Sequence, residues 1–473
     1  MQYRLLKRLR TLALTPLIIT LAMGCSQAGQ VVGASEPELP LPQNFQLHFN
    51  HRDAVRYRHP LNGDWRNGDN LEKQLVKAIN AAKEEVLIAV QELTLPEISR
   101  ALIRAKRRGV NVRVVLENNY SSPWSWQHPS DLTPRARQRQ SQLQQLADTN
   151  RDERLTPDER LAGDAIALLM QNGVAMLDDT ADGSRGSGLM HHKFVVVDRS
   201  LVITGSANFT SSGMHGDVGP SRSRGNVNHL LSIRSPDLAA LFRQEFNRMW
   251  GDGPGGRQDS KFGRDKHSTG QQSVQVSGVT VDVLFAPHAQ QQPGHGLHVI
   301  SEQLTAAKRS IDMALFVFSA QTLTDVLEEK INAGTNIRVL ADPGFASRSF
   351  SEVLDLLSLQ IPDHRCRIES NNRPLKEPLQ TVGTPRLARG DKLHHKFAVI
   401  DNKRVITGSF NWSPAAAHTN DETLLVIHSP KLAAHFTREM NRMWRSAELG
   451  ITPRMRRKLR RQHAQCGTRE IRG

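Results

Sequence analysis

The sequence predicts an α/β protein built as two similar α/β/α sandwich halves, each with a mixed sheet flanked by helices, related by pseudo-twofold symmetry. Three observations carry this expectation: an internal duplication, short apolar runs alternating with helical periodicity, and a polar, Gly-rich stretch between the copies. In the first copy NLEKQLVKAINAAKEEVLIAVQEL continues into LPEISRALIRAKRRGVNVRVVLEN; in the second HGLHVISEQLTAAKRSIDMALFVF continues into AQTLTDVLEEKINAGTNIRVLADP. Both read helix, buried strand, helix, strand. The runs 86–90 and 311–318 are short and bounded, as strands covered on both faces should be. Gly109 and Gly334 stop their helices just before the next strand. Each copy then gives a strand, a tight turn and a returning strand, HHKFVVVDRSLVITGSANF and HHKFAVIDNKRVITGSFNW, and LLSIRSPDLAALFRQEFNRMW answers LLVIHSPKLAAHFTREMNRMW.

With 473 residues and a hydrophobic fraction of 38%, the chain has room for two ordinary domains or one duplicated one. Residues 61–250 form the first half and 278–445 the second, joined by a linker at 251–277 rich in Gly and polar residues. Residues 1–25 read as an export signal: Arg4, Lys7, Arg8 and Arg10 precede an apolar run at 12–23, too short to cross a bilayer as a mature helix. The run L-A-M-G-C resembles a bacterial lipoprotein signal in which Cys25 is acylated. Ala22 stands where such signals prefer Leu, and ordinary cleavage with secretion is the alternative. The expected location is an exported lipoprotein of the periplasm or outer membrane, the outer membrane favoured by Ser26 after the cysteine, with residues 26–60 as a tether. Cys366 and Cys466 remain, either bonded in an oxidising compartment or as separate thiols.

The formal charge of +15 points to an anionic partner. Loss of the signal leaves about +11, of which about +7 lies at 451–473 in the basic tail 446–473, so the folded body is only mildly basic. Such a tail beside a lipid anchor suits anionic headgroups; a solvated helix or frayed end is the plainer reading.

Side chains alternate on a strand, so His191 and Lys193 share a face, as do Ser206 and Asn208 on the strand that returns. The same holds for His394 with Lys396 and Ser409 with Asn411. Asp198 and Asp401 complete two H-x-K-x4-D motifs at the turns, on the opposite parity, better placed for support than for attack. A phosphodiester resists nucleophiles, and breaking it requires cations on its nonbridging oxygens, a nucleophile, and an acid for the leaving alkoxide. Paired motifs supply all three without a metal: one neutral imidazole attacks phosphorus, the other donates to the leaving oxygen, and water then releases the phosphohistidine. Imidazole titrates near neutral pH, so opposite protonation of the two rings is expected there. One such motif is a weak signal; two, each followed by V-I-T-G-S-x-N at the same spacing, are a strong one.

These motifs resemble the phospholipase D superfamily, and the likeness runs from about residue 64 to 445. It implies His191 as nucleophile, His394 as general acid, Lys193, Lys396, Asn208 and Asn411 on the phosphoryl oxygens, and Ser206, Ser409 and Glu422 in support. The superfamily's N-x-E element stands as Asn420-Asp421-Glu422 in the second half, but as Asn226-Val227-Asn228 in the first. The missing carboxylate predicts unequal orientation of the two imidazoles and leaves open which one attacks. His192 and His395 point to the opposite strand face, and no Cys or carboxylate cluster accompanies them, so zinc is not expected.

An insertion at 148–159 resembles an EF-hand loop, with Asp148, Asn150, Asp152, the carbonyl of Arg154, Thr156 and Glu159 at the ligand positions and helices expected at 135–147 and 157–171. Glu153 stands where the sharp turn wants Gly. The loop is either a structural calcium site or a charged loop that keeps the shape. No cofactor is expected for catalysis.

The leading expectation is a metal-independent phospholipase D-like hydrolase of phospholipids held at a membrane by lipid anchor and basic tail. A secreted or periplasmic endonuclease of the same superfamily is the rival, although 5% aromatic content gives no stacking platform for single strands. A non-catalytic binding protein with this fold is the third reading, and both intact H-x-K pairs argue against it. The loops 119–147 and 369–391 expected to wall the pocket carry no headgroup code. Oligomeric state is left open.

Overall fold

Central strands here are apolar along their whole length because helices cover both faces of each sheet. The computed structural model describes residues 38–60, 63–184, 188–217, 223–267 and 269–467; the signal and the lipidation site at Cys25 lie outside them. The first half runs β1 (Phe45–Phe49), a hairpin of β2 (Arg56–Arg58) and β3 (Trp65–Asn67), α1 (Leu71–Ala81), β4 (Glu85–Val90), α2 (Pro96–Arg107) and β5 (Asn111–Leu116). It continues with α3 (Pro134–Ala147), α4 (Pro157–Ala162), α5 (Ala165–Gln171), β6 (Ala175–Asp178), β7 (Lys193–Val197), β8 (Leu201–Gly205), α6 (Ser211–Met214), β9 (His229–Arg234) and α7 (Pro236–Trp250). The second half runs β10 (Gln272–Val276), β11 (Val279–Ala286), α8 (Gly296–Thr305), β12 (Ser310–Leu315), α9 (Gln321–Asn332), β13 (Asn336–Ala341), α10 (Glu352–Leu356) and β14 (Val382–Thr384). It closes with β15 (Lys396–Ile400), β16 (Arg404–Gly408), α11 (Pro414–His418), β17 (Glu422–His428), α12 (Pro430–Trp444), β18 (Glu448–Leu449) and α13 (Pro453–Cys466).

The first sheet has the order β1-β9-β8-β7-β4-β5-β6, and the second β10-β11-β17-β16-β15-β12-β13-β14-β18. Seven strands correspond one to one, with β10 and β18 added at the edges of the second sheet. Both sheets are mixed: β4 pairs parallel with β5 and antiparallel with β7, as β12 does with β13 and β15. One core joins the halves through Phe194, Phe242, Phe285, Phe397 and Phe436, and each sheet has a separate core on its outer face, under α1 and α2 or under α8 and α9.

Four expected boundaries change. The tether 26–60 is folded in its later part: Phe45, Leu47 and Phe49 alternate with Gln46 and His48 and bury one face of β1 against β9. The linker 251–277 contributes Phe262 and Lys266 to the interior and ends in β10, whose alternation of exposed and less exposed residues suits an edge strand. The basic tail is a formed helix, α13, capped by Thr452, whose hydroxyl accepts from Met455 N at 3.3 Å. A disulfide joins Cys466 at its end to Cys366. The helix expected at 157–171 breaks at Gly163–Asp164 into α4 and α5, where the Asp164 side chain caps Ile166 N and Ala167 N.

Candidate active site

Each H-x-K run sits where a central strand begins. Lys193 opens β7 and Lys396 opens β15, each two residues after its histidine. Both lysines are buried, and each Nζ donates to the carbonyl oxygen of its own motif histidine at 2.7 Å. The returning strands end in Gly205 and Gly408, where a Cβ would collide with the carbonyl oxygens of His229 and Thr423. That close approach sets Ser206 beside Asn228 and Ser409 beside Glu422. Ser206 Oγ donates to Asn228 Oδ1 at 2.7 Å, and Ser409 Oγ to Glu422 Oε2 at 2.6 Å.

The support is exchanged between halves. His191 Nδ1 lies 2.7 Å from Glu422 Oε1, while His394 Nδ1 lies 3.0 Å from both Asn228 Oδ1 and Ser206 O. The backbone makes the same exchange: His191 N donates to Asp421 O at 2.9 Å and His394 N to Val227 O at 3.1 Å. Each imidazole is therefore held by the half to which it does not belong, one by a carboxylate and the other by a carboxamide. Asn208 and Asn411 each keep a buried carboxamide oxygen without a protein partner, and a half-turn of the amide presents its NH2 group there instead.

Electrostatics follow from burial. Desolvation, then the ammonium groups of Lys193 and Lys396, hold the imidazoles of His191 and His394 well below their ordinary range. Burial lowers Lys193 to about 7 despite Glu422, and raises Glu422 to about 7 despite Lys193 and the Ser409 hydrogen bond. Burial and the neighbouring Lys193 lower Lys396 as well. Both shifts favour the neutral imidazole, whereas opposite protonation was expected of the pair. An anion between the rings would favour their charged forms.

The family described as cardiolipin synthase, PLD-like domain, matches residues 75–250 and 300–444, which include both motifs. The chain belongs to this PLD-like family. A mitochondrial cardiolipin hydrolase of Chlamydomonas reinhardtii is 26% identical over 143 residues, 30% of this chain and 55% of that protein. The cardiolipin hydrolase of Homo sapiens is 27% identical over 183 residues, 39% of this chain and 52% of its own. The chain thus spans about half the length of the curated relatives it matches. The crystal structure of phosphatidylserine synthase from Haemophilus influenzae Rd KW20 shares the fold, with TM-score 0.54 at 12% identity over 90% of this chain and 94% of that one.

Within this PLD-like fold the motif aspartates stand apart from the motif histidines and lysines. Asp198 and Asp401 lie five residues along their strands from the lysines, roughly 15 Å at strand rise. Asp198 accepts from the amides of Lys83, Glu84 and Glu85, and Asp401 from those of Lys308, Arg309 and Ser310, at 2.7 to 3.2 Å. Grouping them with the catalytic residues is corrected accordingly: they clamp the tight turns to the start of β4 and β12. His192 and His395 form a layer behind the site, His192 between Thr423 Oγ1 at 2.8 Å and Glu245 at 3.2 Å, His395 on Glu439 at 3.1 Å.

Sequence reasoning missed several residues. Lys266, inside the supposed linker, is buried against Glu245 and donates to Asp421 Oδ1 at 2.6 Å, next to Glu422. Phe316 packs on His394 with ring centroids 4.6 Å apart, and Phe345 packs on Phe316 at 4.6 Å. In the insertion, Asp148 accepts from Arg151 N and Glu153 N at 2.8 and 3.0 Å, Asp152 accepts from Arg154 N at 2.8 Å, and the Glu159 carboxylate caps Thr156. Glu153 takes the left-handed conformation there, φ 62°. Among the described residues no group of three or more His, Cys, Asp or Glu side chains is gathered to hold a metal ion.

Proposed function

We propose that this PLD-like protein is a phosphodiesterase that hydrolyses phospholipid headgroup esters through a phosphohistidine. His191 Nε2 attacks phosphorus while Nδ1 faces Glu422, whose carboxylate balances the positive charge that grows on the ring. His394 gains a proton once the anion is bound and passes it to the leaving headgroup alkoxide; it then takes a proton from the water that breaks the P–N bond and releases the phosphate monoester, phosphatidate, from His191. Lys193 and Lys396, with the amides of Asn208 and Asn411, offset the nonbridging oxygens, so no metal has a required place in the sequence of steps. The exchange of support between halves carries this reading, because it gives the two histidines different charge environments within one site.

The phospholipid class is supported by membership of a family described by cardiolipin synthase. An acyl group on Cys25 of an exported chain would hold the enzyme at its substrate, and the loop 148–159 is assigned a structural role outside the chemistry. The deciding experiment presents phosphatidylcholine, cardiolipin, and single- and double-stranded DNA to the purified chain with EDTA present. Turnover of lipid with EDTA is the expected result. Cleavage of DNA alone would replace this reading with an endonuclease, and loss of all turnover in EDTA would return a metal to the mechanism.

A further inference from the structure

Helix α13 is built in an unusual way for a surface helix. Met455, Leu459, Gln462 and Cys466 turn inward, and the outward face presents Arg454, Arg456, Arg457, Arg460 and Arg461. Like charges four residues apart, as in Arg456 with Arg460 and Arg457 with Arg461, disfavour such a helix in water. Among the described residues none of these five arginines has an ion-pair partner. The helix is nevertheless fixed at three places: the Thr452 cap with the buried Met455, the Lys458 Nζ bond to Ser347 O at 2.6 Å, and the disulfide to Cys366. Burial and the charges of Arg348 and Arg454 lower the Lys458 ammonium, which marks these cations as neighbours.

Large apolar side chains are exposed on the segments to which the helix is fixed. Phe350 lies three residues beyond Ser347, Ile368 two beyond Cys366, and Leu449 three before Thr452. The first of these segments also reaches the reacting groups. Asp342 accepts from Leu393 N, the residue before His394, at 3.1 Å, and Phe345 packs on the Phe316 ring that packs on His394.

We propose that α13, with Phe350, Leu449 and Ile368, is a docking face for an anionic lipid bilayer, which brings the 342–351 wall of the site against the membrane. Arginines spread over a rigid helix meet a plane of headgroup phosphates, and apolar side chains beside them enter the acyl boundary. This explains why a helix with mutually repelling charges is clamped in place: the bilayer supplies the counter-charge. Nucleic acid would meet the arginines equally well and could stack a base on Phe350, but it has no use for the exposed aliphatic side chains of Ile368 and Leu449, which favours the bilayer.

The inference rests on the phospholipid reading only in its benefit to turnover, since docking is measured without it. Full-length chain, with Cys25→Ser in every sample so that no acyl group contributes, is sedimented with phosphatidylcholine vesicles and with the same vesicles doped with phosphatidylglycerol. Binding to the doped vesicles, falling with salt, is the expected result. Replacing Arg456, Arg457, Arg460 and Arg461 together by Gln should weaken it by roughly six hundredfold, since each charge near such a surface contributes roughly fivefold. Leu449→Ser, with all charges kept, should weaken it by roughly tenfold. Turnover of a small soluble phosphodiester stays unchanged in both variants. Equal binding to both vesicle types, unchanged binding of the fourfold variant, or binding of duplex DNA in preference to doped vesicles each overturns the docking face. Vesicle binding without lipid turnover leaves docking intact and removes the proposed reaction; lipid turnover in detergent without vesicle binding does the reverse.

Discussion

Glu422 is the position where the two halves differ most in chemistry, so its replacement tests the proposed division of labour directly. In Glu422→Gln a carboxamide oxygen still faces His191 Nδ1 where Glu422 Oε1 lies, and the carboxylate charge is lost. A hydrogen bond to a charged group contributes about 1.5–3 kcal/mol and a neutral one about 0.5–1.5, so the difference is about 1.4 kcal/mol, or tenfold in rate. Glu422→Ala also removes the acceptor of the Ser409 hydroxyl, which keeps only the Thr423 amide it accepts from, and raises the loss to about 3–4 kcal/mol, a few hundredfold. Stopped-flow measurement with a chromogenic phosphodiester separates the burst, which reports formation of the phosphoenzyme, from the steady state. The burst rate should fall about tenfold in Gln and a few hundredfold in Ala, with the phosphate found on His191. A Gln variant within twofold of the parent, or an Ala variant no worse than Gln, would refute the role given to this carboxylate.

Other outcomes follow from the same geometry. Both imidazoles are held well below 6.5, and a bound anion raises them, so phosphate or tungstate binding near pH 7 should take up about one proton and tighten as pH falls from about 8 to 6. Calorimetry in buffers of different ionisation enthalpy reads this uptake, and proton release would contradict it. Asp401→Ala removes a carboxylate held by three amides and should cost about 3 kcal/mol in urea unfolding, with kcat of the folded protein unchanged. The three amides hold the Asp401 carboxyl below its ordinary value against the rise from burial, so its contribution is present above about pH 4 and is lost as pH falls below that. Lys266→Met leaves the buried Asp421 carboxylate without its cation and Glu245 with Arg248 and His192, and should destabilise by about 3–5 kcal/mol; a change under about 1 kcal/mol would return residue 266 to the status of a linker.

Periodicity and repetition made the two sheets legible in the sequence, because strands covered on both faces leave continuous apolar runs that little else imitates. The histidine and lysine positions were legible for the same reason, since alternation on a strand decides which side chains share a face. What could not be read was which half each N-x-E or N-x-N triplet serves. Both triplets lie in register with their own motif along the chain, and only the docking of one sheet against the other sends Glu422 to His191 and Asn228 to His394. Lys266 was hidden by its neighbours: Gly and polar residues around it signal a loop, and composition says nothing about a buried ion pair closed over 155 residues. The strand β1 was readable from the alternation of Phe45, Leu47 and Phe49, yet its partner β9 lies far along the chain and no local turn announces the pairing.

Reciprocal bracing has a consequence for what a single polypeptide permits. Were the two halves separate identical subunits around a dyad, any substitution beside one ring would be repeated beside the other, and donor and acceptor of the proton would be chemically equivalent at rest. Covalent continuity removes that constraint. A glutamate at residue 422 can coexist with an asparagine at residue 228, and two imidazoles of common design acquire distinct surroundings without any change in the scaffold that presents them.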